Sequence, residues 1–186
     1  MMRKPQHAYS FIEMLTVLVI IAIVASLSLP SFNEFWQRDH DAEIKLQVLN
    51  ALQLAREAAQ INSTSVAVCK STDLIHCGGQ WREGVLIFVN AAEDGVLNNK
   101  NQLIAAIAFP KATGQLLWRA FPFYRDYLLF SAIDTSNVNN GTFWYCRQQA
   151  TTPRFAIIVN QSYRARVEYP DKNGVILDGR GKALVC

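Results

Sequence analysis

The sequence predicts an α+β chain: a long N-terminal helix, transmembrane in its first half, packed on a C-terminal antiparallel β-domain of two sheets. Three observations carry this. Every residue from Met14 to Asn33 is uncharged, and a helix of that length spans roughly 30 Å, the thickness of a bilayer's hydrocarbon core. Ile44, Val48, Leu52, Ala55 and Ala59 then recur at helical spacing, the mark of an amphipathic helix with one buried face. From Ser65 onward, short apolar runs alternate with Gly, Asn and Asp turn signals, the pattern of antiparallel strands. At 186 residues the chain is long enough to bury a sizeable core.

The helix is expected from Tyr9 to about Ile61, with 9–33 in the membrane and 34–62 amphipathic. Pro30 removes one backbone donor and is expected to kink it. Arg38, Asp39, Glu43, Lys45, Gln53 and Glu57 form its polar surface, and "NSTS" at 62–65 ends it. The β-domain covers 63–186. Its predicted strands are Ser65–Cys69, Val85–Asn90, Leu103–Phe109, Tyr127–Ile133, Thr142–Cys146, Arg154–Asn160 and Arg164–Tyr169. The turns between them are read from "CGGQ", "EDG", "ATG", "NNG" and "PDKNG". Leu86, Phe88, Ile104, Ile107, Leu129, Phe143, Phe155 and Ile157 are the expected core.

Arg3 and Lys4 precede the apolar segment, which places the N-terminus in the cytoplasm and the bulk of the chain outside it. All four cysteines, Cys69, Cys77, Cys146 and Cys186, lie on the exported side, where disulfides persist. Four cysteines allow three connectivities. Cys69–Cys77 closes a short loop and Cys146–Cys186 ties down the chain end, and this pairing is favoured. A metal site built from Cys69, His76 and Cys77 competes, but no second cysteine pair at ligand spacing supports it. No metal and no cofactor is expected.

The formal net charge is +3, so binding of an anion must come from local clustering. The cluster lies near the C-terminus. Arg147, Arg154, Arg164, Arg166, Lys172, Arg180 and Lys182 face only Glu168, Asp171 and Asp178 over 147–186. "NAAEDG" at 90–95 lacks the alternating oxygen ligands of a calcium loop and reads as a turn. No nucleophile elbow, phosphate loop or zinc-protease motif occurs, and His7, His40 and His76 have no evident nucleophile partner, so an enzyme is not expected.

One residue breaks the apolar pattern: Glu13, near the helix start. A bare charge in lipid costs roughly 2.5–3.5 kcal/mol on insertion scales. Snorkelling to the headgroups is one answer. A conventional signal peptide cut after "SLS" (26–28) is another, and would leave Glu13 without a role. The stretch "MMRKPQHA-YSFIEML", with Pro30 seventeen residues beyond the glutamate, instead resembles the type IV prepilin N-terminus. That resemblance implies a leader of residues 1–8, cleavage between Ala8 and Tyr9 by prepilin peptidase, and N-methylation of Tyr9. It also implies pairing of Glu13 with the N-terminal amine of a neighbouring subunit. The pattern departs from the family at Ala8, where glycine is usual, and at Tyr9, where phenylalanine is usual.

"VAVCKSTDLIHCGGQWREGVLIFVN" (66–90) resembles the GspH/FimT group of minor pilins, on Cys69, Cys77, Trp81, Gly84 and Ile87–Asn90. Trp81 also reads simply as a packed aromatic. The FimT branch is associated with DNA uptake in natural transformation through a glycine-arginine-any-arginine motif. "SYRARVEY" (162–169) matches it at Arg164 and Arg166, with Tyr163 in the glycine position. On a strand these arginines share a face ~6.6–6.8 Å apart, near the spacing of successive phosphates. Charges on an edge strand that block aggregation are the plainer reading of the same pair. The resemblance implies a sequence-independent DNA site at Arg164 and Arg166, which Tyr163 joins if a turn aims it at a base; Arg180 and Lys182, basic residues among the glycines of "DGRGKALVC", are expected as additional phosphate contacts in a stretch that extends past the family pattern. Arg147 is expected to enter the patch if Cys186 pairs with Cys146. The implied partners are DNA, other pilin subunits, prepilin peptidase and the inner membrane. The implied location is the inner membrane with a periplasmic domain, extracellular once in a pilus. A structural minor pilin that primes or caps the filament and a pseudopilin of a type II secretion system are the alternatives.

Overall fold

The structure is a computed structural model that describes residues 10–110, 114–132 and 140–186, without the side chains at 27–31 and 33. The leader, Ala8, Tyr9 and Ile133 lie outside the described residues. The chain divides into two units between Asp39 and His40. One helix, α1 (Phe11–Asn62), runs through the division and past position 30. Its apolar side chains from Phe11 to Val24 are exposed. Among the described residues, no helix is long and apolar enough to cross a membrane. The apolar run of the sequence includes positions 27–31 and 33, whose side chains are not among them.

The second unit carries eight strands: β1 (Val66–Lys70), β2 (Gly84–Val89), β3 (Leu103–Ala108), β4 (Gln115–Phe121), β5 (Tyr127–Phe130), β6 (Asn140–Cys146), β7 (Phe155–Val159) and β8 (Ala165–Glu168). They form two antiparallel sheets of four strands, ordered β3-β2-β1-β5 and β4-β6-β7-β8. The α+β architecture with two sheets is as expected. The helix face is as well, since Ile44, Val48, Leu52, Ala55 and Ala59 are all buried. Together with Val66, Val68, Val85, Ile87, Leu128 and Phe130 from the first sheet, and Trp118, Phe143, Tyr145, Phe155, Ile157 and Val159 from the second, they make one core. Trp81 joins it, edge-on to Phe143 at 5.0 Å.

Several expectations need correction. Strand β4 falls on no expected strand. "QLLWRAF" alternates inward Leu116, Trp118 and Ala120 with outward Leu117 and Arg119, but its outward positions are partly apolar, which blurs the two-residue period. Ile104 and Ile107 are only half-buried because β3 is an edge strand. Leu86, Phe88 and Leu129 are buried, but on the opposite face of their sheet, in a separate cluster with Ala67 and Cys69. Strand β8 starts at Ala165, so Arg164 belongs to the preceding turn and does not alternate with Arg166 along a regular strand.

The structure contains two disulfides, Cys69–Cys77 and Cys146–Cys186. The sulfurs of Cys69 and Cys77 are therefore bonded to each other and are not metal ligands. His76 instead has its Nδ1 2.7 Å from Asp73 Oδ2.

Candidate nucleic-acid interface

The outward face of the second sheet is built in two halves. At one end, Leu117, Trp144, Cys146 and Ala156 are covered by Ile176 and Leu184 of the C-terminal tail. The tail folds back on itself through a bridge between Leu177 and Ala183 and a hydrogen bond from the Leu184 amide to the Ile176 carbonyl at 2.9 Å. Trp144 Nε1 donates to the Val185 carbonyl at 3.0 Å, and the Cys146–Cys186 bond locks the end.

The other half of that face is open. The register places Arg119, Thr142, Ile158 and Arg166 in one cross-strand row, which forms the floor of a groove of about 560 Å³. Its lining includes Arg119, Arg164, Arg166 and Arg180, against a single acid, Asp178. Phe121, half-buried, supplies apolar surface between the charges, beside the buried Ala120, Ile158 and Val159. Gly141 lies in the floor, where a β-carbon would come within 2.3 Å of the Trp118 ring. Only glycine lets β6 approach β4 so closely there.

Two turns of the same design flank the groove. Asn160 Oδ1 accepts hydrogen bonds from the amides of Ser162 and Arg164 at 3.0 and 2.9 Å. Asp178 Oδ1 accepts from Arg180 and Lys182, both at 2.9 Å. In each turn the fourth residue has positive φ, +57° at Tyr163 and +79° at Gly181. A side-chain oxygen that cups two backbone amides is what Asn and Asp do in turns, and the left-handed position suits glycine. Tyr163 pays for that backbone with packing: its ring lies 5.1 Å from Phe130, and its hydroxyl accepts the Ser131 amide at 3.1 Å. It therefore anchors the turn that presents Arg164.

Asp178 is the electrostatic hinge of the site. Burial alone would push its carboxyl up. The amides of Lys182 and Arg180 and the Arg119 guanidinium, whose Nη1 is 3.1 Å away, outweigh burial and hold it below the usual carboxylate range. Arg119 also lies over the Trp144 ring at 5.2 Å, and Arg180 over Phe121 at 3.8 Å. Arg166 has an exposed pairing with Glu168 at 3.3 Å, which solvent screens. Arg164 has no ion pair among the described residues.

The chain was compared with known proteins. A family profile described as "Type II transport protein GspH" matches residues 46–162, more than half of the chain. The chain belongs to the GspH family. A second profile, "Prokaryotic N-terminal methylation motif", matches residues 3–29, so the GspH-family domain follows a pilin-type N-terminus. The chain is also similar to two crystal structures of the type IV minor pilin FimU of Pseudomonas aeruginosa strain PAO1. One shares 18% identity over 71% of this chain and 90% of that one, with a TM-score of 0.48; the other shares 17% over 69% and 90%, with a TM-score of 0.46. None of the curated proteins matches it.

Within this GspH-family domain the groove gathers Arg164, Arg166 and Arg180. Lys182 is exposed in the same turn as Arg180 but does not line the groove. Arg147 is elsewhere. It follows the far end of β6, about 20 Å from the groove at ~3.4 Å per residue, and its Nη2 and Nε bind Asp41 at 2.6 and 3.0 Å. The tail disulfide holds Cys186 beside Arg147, not beside the groove, because Cys146 and Asn140 are opposite ends of one strand. Sequence reasoning missed Arg119, which required β4 and its register. It also missed the role of Asp178, whose "DGRGK" matches "NQSYR" turn for turn once the amide-cupping residue is placed first.

Proposed function

We propose that this chain is a minor type IV pilin that binds DNA through the arginine groove during DNA uptake. Processing after Ala8, N-methylation of Tyr9, anchoring of 9–33 in the inner membrane and a periplasmic β-domain complete the reading. The N-terminal methylation motif supports that part. Glu13 is exposed in the first turn of α1, where a carboxylate suits the positive end of the helix dipole. It has no ion-pair partner among the described residues, as a residue that docks to a neighbouring subunit's amine would. The observation that carries the DNA reading is the convergence of four arginines and one neutralised acid on one open groove. Arginine forks match phosphate oxygens, and sequence independence follows because phosphates carry no sequence.

The test is a titration of the full-length chain in nonionic detergent with DNA at several salt concentrations. Binding is expected to weaken steeply with salt. Arg164→Ala with Arg166→Ala is expected to flatten the log–log slope by roughly 1.4 on a single strand and 1.8 on a duplex. Unchanged binding by the double variant removes the groove from the function and leaves the filament-priming and secretion readings.

A further inference from the structure

An aromatic loop follows the strand that ends in the groove; its Tyr124 lines a second cavity, beside Lys70, Trp81 and Gln115. Strand β4 ends at Phe121, which lines the groove. Residues 122–126 then cross to the first sheet and β5. On this crossing, Phe123 and Tyr124 are 71% and 76% exposed, far more than two large rings on a short loop need to be. The loop beneath them is fixed. Trp118 Nε1 donates to the Arg125 carbonyl at 2.9 Å. Tyr124 Oη donates to Asp126 at 2.6 Å, and Asp126 in turn pairs with Lys70 at 3.2 Å. Arg125 adds a further cation, 5.7 Å from the Tyr127 ring centre.

We infer that the ligand of this surface is single-stranded DNA, whose phosphates lie along the arginine groove while its bases stack on Phe123 and Tyr124. This rests on the DNA reading of the groove. A duplex hides the faces of its bases and offers only phosphates and groove edges, so exposed rings gain little from it. A single strand presents both phosphates and ring faces, and sites for it combine a basic track with aromatic platforms. Arg180, whose guanidinium carbon lies 3.8 Å from the Phe121 ring centre, adds a planar cation beside that ring. Rings already held on an anchored loop lose little freedom on binding.

The experiment compares a twelve-residue oligothymidylate with a twelve-base-pair duplex, both titrated against full-length chain in detergent at fixed salt. The single strand is expected to bind at least tenfold tighter. Phe123→Ala with Tyr124→Ala is expected to cost roughly ten- to hundredfold on the single strand and under threefold on the duplex. Phe123→Trp with wild-type Tyr124 is expected to bind the single strand at least as well as wild type, since it keeps a stacking face. Both rings are exposed, so the fold is expected to survive, with an unchanged melting curve. Equal or tighter duplex binding, or an aromatic double variant that binds the single strand as wild type does, overturns the inference while leaving the DNA reading intact; the second result assigns the loop to contact with other protein subunits. Absence of binding to either DNA removes the DNA reading itself.

Discussion

The two sheets treat their outward faces in opposite ways. The outer face of the first is closed: Ala67, Cys69, Leu86, Phe88 and Leu129 are buried there, with Leu74 and Leu97 from the flanking loops packed over them. The outer face of the second is covered by apolar tail residues over Trp144, Cys146 and Ala156, and beyond them it carries the arginine groove, whose floor row runs from Arg119 through the buried Thr142 and Ile158 to Arg166. On each sheet one covering segment is tied by a disulfide, the Leu74 loop across a separation of 8 residues and the tail across 40. A face that is apolar throughout must be covered, because exposed apolar area is costly at about 25 cal/mol per Å². A face that changes from apolar to basic along its strands needs cover only over its apolar part, and the edge of that cover becomes the wall of a site.

This contrast can be broken by substitution. The largest effect is expected from emptying the covered layers. Phe88→Ala should cost about 3–5 kcal/mol and Leu184→Ala about 2–5 kcal/mol, read by thermal or urea unfolding. Below the transition, DNA binding should survive Phe88→Ala and fall with Leu184→Ala, since only the latter loosens the groove wall. Equal binding losses would mean that the two faces are not independent.

The disulfides come next. Replacing Cys146 and Cys186 by serine should cost about 4 kcal/mol, and replacing Cys69 and Cys77 about 2.5 kcal/mol, because the longer loop gains more chain entropy when unfolded. Urea unfolding of the two double variants measures the difference. Only loss of the Cys146–Cys186 bond should weaken DNA binding. The reverse order of stabilities would show that the tail is held by its packing and not by its tether.

The smallest effect concerns Asp178, whose carboxyl titrates below its unfolded value of ~3.9. Its stabilisation is therefore complete above that pH and is lost as pH falls through the folded value. Asp178→Asn keeps an acceptor for the amides of Arg180 and Lys182 but loses the charge facing Arg119. It should cost about 1.5 kcal/mol at neutral pH and progressively less below pH ~4. A constant difference from pH 7 to pH 3 would mean that the ionised carboxylate is not what steadies the turn.

Much of this was legible in the chain. The buried helix stripe from Ile44 to Ala59 and most of the strands could be read from periodicity; Arg164 and Arg166 stand out by their resemblance to a family motif, and Arg180 by charge. Strand β4 could not, because Leu117 and Phe121 interrupt its alternation with outward apolar residues that the tail and Arg180 later cover. Tyr163 could not, because a tyrosine beside two arginines reads as a ligand contact. Only the positive φ of +57° and the Phe130 ring beneath it make it an anchor. Arg147 misled for the opposite reason: proximity to Cys146 in sequence says nothing about which end of a seven-residue strand a site occupies.

By itself the sequence determined the class of the protein: a pilin-type stem with a carboxylate near its start, a β-domain behind it, and an excess of arginine toward the C-terminus. Those features are local, set by spacing along the chain, and spacing survives without a fold. The tertiary structure alone decided which cations meet. Cross-strand register set Arg119 on β4 and Arg166 on β8 in one row, at the two edges of the sheet, and the folded-back tail brought Asp178 and Arg180 to the same groove. Register and chain reversal are long-range choices, fixed by which apolar faces bury one another and not by any residue's neighbours in sequence.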